Sequence, residues 1–131
     1  MSGPRQIAAA LLLGAAALPS LAAARPADCL VQVEGRTLIN GPCDFTAEAG
    51  GDFTLTLGSR KAQVMVDPGA RMGRAFYEDS ASGEPPGVAD ARRDGACWGR
   101  AAAIRVCAWQ PGERPAAYRN LPPASGSAPP R

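Results

Sequence analysis

Residues 53–66 read FTLTLGSRKAQVMV. Phe53, Leu55 and Leu57 alternate with Thr54 and Thr56, and Ala62, Val64 and Val66 take up the alternation after the polar break Gly58-Ser59-Arg60-Lys61. A strand turns successive side chains to opposite faces, so both runs predict half-buried strands whose apolar members face one core. Two such runs separated by a short break containing glycine predict a β-hairpin.

The same period extends outward in both directions. Asp67-Pro68-Gly69 is a turn signal, since proline presets φ and glycine accepts positive φ. A fifth strand is expected over residues 71–78. Upstream, CLVQVEGRTLINGPC (residues 29–43) places Cys29, Val31 and Val33 on one face, offers Glu34-Gly35 as a turn, and returns over residues 36–40. Gly41-Pro42 is read as the end of that pairing. Downstream, GACWGRAAAIRVCAW (residues 95–109) is a further hairpin with residues 99–102 as its turn. Between these regions lies DSASGEPPGVADARRD (residues 79–94), which has two prolines and no sustained apolar pattern, and is read as a long surface loop. No helix is expected beyond the N-terminal segment. The fold class is therefore all-β, a small antiparallel meander of about seven strands curled into a barrel or sandwich.

Four cysteines in a short exported chain indicate two disulfides, and three connectivities are open. Cys29–Cys43 and Cys97–Cys107 are preferred because each pair brackets one hairpin, where opposed Cα atoms lie within disulfide range. A four-cysteine zinc site or a redox centre would need close C-x-x-C pairs, which are absent. Pairing Cys97 with Cys107 sets Trp98 across from Val106 on the core face. Trp109 shares the other face with Arg105 and the disulfide. It is expected to be partly exposed against them, with covering of the barrel's end as the plainer alternative.

The N-terminus has one basic residue, Arg5, before the uncharged Ala- and Leu-rich run that begins at Ile7, and then Ala22-Ala23-Ala24. This predicts a signal peptide over residues 1–24, too short in its apolar part to span a membrane, with no membrane anchor after cleavage. Asp28 before Cys29 spoils a lipoprotein signal. Loss of Arg5 leaves thirteen basic against twelve acidic residues, and this balance gives no electrostatic case for nucleic acid. Residues 25–110 form one small β domain that needs its staples. Residues 111–131, rich in proline and alanine, are expected to be a disordered tail.

The chain has no histidine, which removes Ser-His-Asp and Cys-His catalysis and the common zinc sets. The acid–base candidates are carboxylates: Glu78-Asp79, and Asp44, Glu48 and Asp52 around Gly50-Gly51. Adjacent strand residues point to opposite faces, so Glu78-Asp79 is a poor pair for glycoside chemistry. DFTAEAGGD, starting at Asp44, does not match an EF-hand loop. No catalytic residue, metal or cofactor is assigned.

The stretches CLVQVEGRTLINGPC and RDGACWGRAAAIRVCAW (residues 93–109) resemble a group of small exported, disulfide-stapled bacterial proteins. Their pattern is a C-x-V-x-V-x-G…G-P-C hairpin and a G-A-C-W…V-C-A-W hairpin. The resemblance implies export and disulfides, and no activity. Residues 44–92 match only as a β-rich spacer. At fold level the chain is also similar to periplasmic lysozyme inhibitors, some of which carry an S-G-x-x-Y stretch. Here Ser82-Gly83-Glu84-Pro85 begins that way, and Pro86 stands where tyrosine should. The expected function is a non-catalytic exported binding module for an envelope protein, a foreign lysozyme or a glycan. Its contact surface is expected on the 79–94 loop (Ser82, Gly83, Glu84) with Arg105 and Trp109. A small carboxylate-dependent hydrolase and a purely structural envelope protein are the competing classes.

Overall fold

The computed structural model describes residues 23–69, 71–121 and 124; the expected signal segment lies almost wholly outside them. Eight strands follow one another as a closed antiparallel meander: β1 (Arg25–Val33), β2 (Arg36–Ala47), β3 (Phe53–Leu57), β4 (Arg60–Val66), β5 (Met72–Asp79), β6 (Gly87–Asp94), β7 (Cys97–Arg100) and β8 (Ile104–Trp109). β8 pairs back onto β1 from Ile104↔Val33 to Trp109↔Asp28, which removes both sheet edges.

The eighth strand is β6, which corrects the expected 79–94 loop: only residues 80–86 connect β5 to β6. Its inward positions are Gly87, Ala89 and Ala91, opposite Tyr77, Ala75 and Gly73 of β5. Small residues on both strands let the walls approach and give almost no hydrophobic signal. At Gly73 the approach is so close that an added Cβ would lie 2.3 Å from the Met65 carbonyl oxygen.

The two central strands form as expected, joined by Gly58-Ser59, with Phe53, Leu55, Ala62 and Val64 buried. Leu57 is a correction: it sits at the rim and is 44% exposed. The first hairpin turns at Glu34 (φ 52°) and Gly35 (φ 81°), the paired positive φ values of a type I′ turn. Pairing does not stop at Gly41-Pro42, as expected, but runs on to Arg25↔Phe45. β2 meets β3 only from Asp44 onward, so Pro42, lacking an N–H, lies where that side of β2 has no ladder to interrupt. Between Val31↔Ile39 and Gln32↔Thr37 the register slips by one residue. This bulge inserts Leu38, and Leu38 and Ile39 both join the core.

The interior is filled by side chains, among them Val31, Ile39, Leu55, Val64, Trp98, Ile104 and Val106. Burying each Leu, Ile or Val contributes about 1.5–3 kcal/mol. Both preferred disulfides are present. Cys97 and Cys107 are directly opposed, with Cα atoms 4.0 Å apart. Cys29 is instead opposed by Gly41, and reaches diagonally to Cys43 over a Cα separation of 5.9 Å. Cys29–Cys43 lies inside the barrel, while Cys97–Cys107 lies on the outer wall with Leu30.

The first part of the expected disordered tail is ordered against that wall. Gln110-Pro111-Gly112-Glu113 closes with the Glu113 N–H on the Gln110 carbonyl (3.0 Å), and Gly112 has φ 86°. Proline followed by a positive-φ glycine makes a type II turn, which sends the chain back over the barrel. Residues 113–121 then run across the Cys97–Cys107 face, with a single 3-10 turn at Ala116–Tyr118.

Candidate functional site: the mouth of the barrel

Up-and-down topology collects the Glu34-Gly35 turn, the Gly58-Ser59 turn, the 80–86 loop and residues 101–103 at one end of the barrel. There the short β3–β4 hairpin leaves the upper part of β2 without a neighbour on one side. Arg60 bridges the gap: its guanidinium donates to the Leu38 carbonyl and pairs with Asp79 at 3.3 Å.

Asp79 organises the loop that follows. Its carboxylate accepts the Ser59 hydroxyl at 2.6 Å and the Ala81 N–H at 3.0 Å. The Ser82 N–H returns to the Asp79 carbonyl, and the Glu84 N–H donates to the Ser82 hydroxyl. The Ser59 hydroxyl, then the Ala81 N–H and the Arg60 guanidinium, hold the Asp79 carboxyl below the usual carboxylate range. Across the opening Arg36 donates to Glu84 at 3.0 Å, and both side chains are about half exposed.

These groups frame a depression of about 230 Å³ walled by Val33, Leu38, Pro85 and Pro86. Tyr77 also borders it, and only 8% of Tyr77 is exposed. Among the described residues no hydrogen bond reaches the Tyr77 hydroxyl, and no fully enclosed side-chain polar atom lacks a partner; the hydroxyl therefore opens onto the depression. Burial pushes the phenol above its ordinary pKa. Arg60 and Arg36 act against that shift, and Asp79 and Glu84 with it, so the surrounding charges are balanced in number. Facing Tyr77 across the β5–β6 ladder is Gly87, whose missing side chain leaves this space open: an added Cβ would lie 3.1 Å from Val33 Cγ1 and 4.0 Å from Tyr77 Cβ.

The sequence-expected contact residues do not form one surface. Ser82 and Glu84 line the mouth, and Gly83 is exposed between them. Trp109 ends β8 at the opposite end of the barrel, and Arg105 lies on the outer wall. Both are partly covered by the chain's own C-terminal segment, and Trp109 stays partly exposed as expected: the Trp109 and Tyr118 rings lie 5.3 Å apart, and Arg105 donates to the Tyr118 hydroxyl at 3.2 Å. Arg114 completes the seal. Its five N–H donors go to Asp28 twice (2.7 and 3.1 Å), to Asn40 Oδ1, and to the Cys29 and Tyr118 carbonyls. Its guanidinium also lies 5.1 Å from the centre of the Trp109 ring.

Sequence reasoning missed Tyr77, Gly87, Arg114 and Tyr118. The Pro111-Gly112 turn dipeptide and the lone aromatic Tyr118 were the available signals for the covering segment. Three further carboxylates considered for acid–base work are engaged in structural contacts. Glu78 pairs with Lys61 on the outer wall, Asp52 accepts the Val66 N–H, and Glu48 accepts the Thr54 hydroxyl. Among the described residues no group of three or more His, Cys, Asp or Glu is placed to hold a metal ion. No family model, curated protein or solved structure matches the chain.

Proposed function

We propose that this chain is a non-catalytic binding module exported to the bacterial cell envelope or beyond it, with the barrel mouth and its 80–86 loop as the contact surface. The observation that carries the reading is the unpartnered hydroxyl of the buried Tyr77 beside the depression at the mouth. A buried ring with an unused polar tip is a common way of fixing a ligand's orientation. Export is supported by two intrachain disulfides, which persist in oxidising compartments, and by the signal-like N-terminal sequence. Among the described residues no helix is long and apolar enough to cross a membrane.

The partner classes are an envelope protein, a foreign lysozyme whose action the module would block, and an envelope glycan. The test is titration of the oxidised chain with lysozyme, soluble peptidoglycan fragments and purified envelope proteins, repeated with Tyr77→Phe and Glu84→Ala. The expected result is binding to one of these that both substitutions weaken. A partner held equally by both variants would move the contact away from the mouth. Absence of binding in every arm would overturn the reading.

A further inference from the structure

Across the barrel from β1, the outer face of β4, β5 and β6 carries bare apolar side chains with arginines among them. Among the described residues the exposed large apolar side chains are Leu57, Met65, Met72 and Val88. Leu57 sits at the rim, and the other three point outward from β4, β5 and β6 at 41%, 37% and 47% exposure. Register joins them into one line. Met65 lies across from Arg74, so its diagonal neighbours on β5 are Met72 and Phe76, and Phe76 is directly opposed by Val88. On the β8–β1 side the outward Leu30 is fully buried under the C-terminal segment; on this side the apolar tips meet solvent.

The charges on this face do not balance. Lys61, Arg74, Arg92 and Arg100 stand on it or at its edge, against Glu78 and Asp90. Lys61 and Glu78 pair across the β4–β5 ladder at 3.7 Å, whereas Arg74 and Arg100 share Asp90, each at 3.7 Å. Arg92 lies across from Met72, and among the described residues no hydrogen bond or ion pair engages its guanidinium. A chain of nearly balanced composition thus folds with an excess of cations beside its apolar line.

We propose that this face docks on the surface of an anionic lipid bilayer. The two features select that partner together. Arginines are drawn to an anionic headgroup layer, and bare methionine and valine tips gain by leaving water for the boundary with the acyl chains. Methionine is flexible and arginine carries a long apolar stem, so both reach into such a boundary from a stiff strand wall. A soluble acidic polymer would answer the arginines and leave the apolar line wet. A second copy would cover the line and set two cationic faces against each other. Contact through a strand wall lays the barrel on its side and leaves the mouth uncovered, so the proposal goes beyond the mouth and does not rest on it.

The test is vesicle sedimentation with oxidised residues 25–131. Closure of the barrel by β8 on β1 uses no residue before Arg25, and leaving out the apolar N-terminal run keeps it from binding lipid by itself. Vesicles of equal phosphatidylcholine and phosphatidylglycerol are compared with phosphatidylcholine alone and with soluble polyglutamate. The expected result is binding to the mixed vesicles that weakens with salt, well ahead of the other two. Arg74→Gln and Arg92→Gln should each weaken it about fivefold, the worth of one cation at an anionic surface. Asp90→Asn should strengthen it by a similar factor, because it removes an anion from the face. Met65→Ser with Met72→Ser should weaken vesicle binding at every salt concentration. All five residues are exposed, and circular dichroism reports that each variant keeps its barrel.

No vesicle binding, or equal binding to both vesicle types, would overturn the proposal. Polyglutamate held as tightly as the mixed vesicles, without loss in the methionine variant, would make an acidic polymer the occupant. A dimer at micromolar concentration that the methionine variant disperses would make it a second copy. Each of these failures leaves the mouth standing, because that reading is tested at Tyr77 and Glu84.

Discussion

Two concave or apolar features of this barrel began as parts of one expected surface, and they are finished in opposite ways. On the outer wall, Leu30, Cys97 and Cys107 are covered by Trp109, Tyr118 and Leu121, and the covering segment is fixed by an arginine whose every donor is used. At the mouth, Tyr77 sits among core residues with its hydroxyl unused and a glycine opposite it. The wall is closed by the chain's own residues; at the mouth the Tyr77 hydroxyl has no partner among the described residues. Substitutions on the wall should therefore be costly for stability, and substitutions at the mouth should matter little to stability near neutral pH.

The largest expected effects are at the two disulfides, one on the wall and one inside the barrel. Replacing Cys97 and Cys107 together by alanine should destabilise the domain by about 3 kcal/mol, the chain-entropy value for a closed loop of this order. Urea unfolding measures it. Removing the interior pair, Cys29 and Cys43, should cost at least as much, because its loop is longer and its sulfurs fill core volume. A nearly neutral Cys97/Cys107 double variant would mean that the cover, and not the bond, holds the wall together.

Arg114→Ala separates those two contributions. It leaves the Asp28 carboxylate without its cation and uncovers the Trp109 ring, and should cost about 1–3 kcal/mol, since charge-assisted hydrogen bonds are lost at a partly buried pair. Arg114→Lys should recover little of this, because an ammonium cannot hold the carboxylate and the carbonyls in the same planar geometry. Dithiothreitol should then reduce Cys97–Cys107 faster than in the parent chain, with Cys29–Cys43 unchanged inside the barrel. Equal acceleration at both bonds would show global loosening in place of an opened cover.

The contrast between wall and mouth also marks how far the sequence could be read. Period-two runs at Phe53–Leu57 and Arg60–Val66 carried the fold because large apolar residues alternate with polar ones. The cysteines and Trp98 were placed correctly because parity along a strand decides which face each occupies. β6 was hidden because its inward residues are glycine and alanine, chosen by how close its neighbours come and not by their own hydrophobicity. The same blindness concealed the site. Tyr77 reads as an ordinary alternating strand residue, and only the register that sets Gly87 beside it reveals the space. Residues 111–121 read as tail by composition, since the contacts that order them lie far away in sequence, Arg114 on Asp28 above all.

At the mouth the first expectation concerns alkali. Burial raises the Tyr77 pKa above its unfolded value of 10.0, so its neutral form contributes stability that is fully present below pH 10 and is lost as pH rises through the folded value. Tyr77→Phe should leave stability near neutral pH within about 1 kcal/mol of the parent, there being no hydrogen bond to lose, and should remove this share of the alkaline decline. Unfolding midpoints measured from pH 7 to 11 in both chains give the answer. A large loss at pH 7 would show that the hydroxyl has a structural partner and would close the gap between mouth and wall.

The smallest effect belongs to Asp79, which shapes the loop from the rim of the barrel. Its pKa is lowered from the ordinary 3.8, so its ionised form contributes stability that is present above that value and is lost as pH falls through the lower folded one. Asp79→Asn keeps the size of the side chain and removes the charge that the Ser59 hydroxyl, the Ala81 N–H and Arg60 all address. Its stability should fall somewhat below the parent's at neutral pH, by the share the ionised carboxylate contributes, and should lack this acid-dependent component. The more telling readout is the loop itself. Amide exchange at Ala81 and Ser82 should quicken in Asp79→Asn, while Gly87 and the β6 amides beyond it keep their protection. Faster exchange spreading into β6 would mean that Asp79 supports the wall of the barrel, and the mouth would then have to be counted, like the Cys97–Cys107 face, among the parts the fold needs for itself.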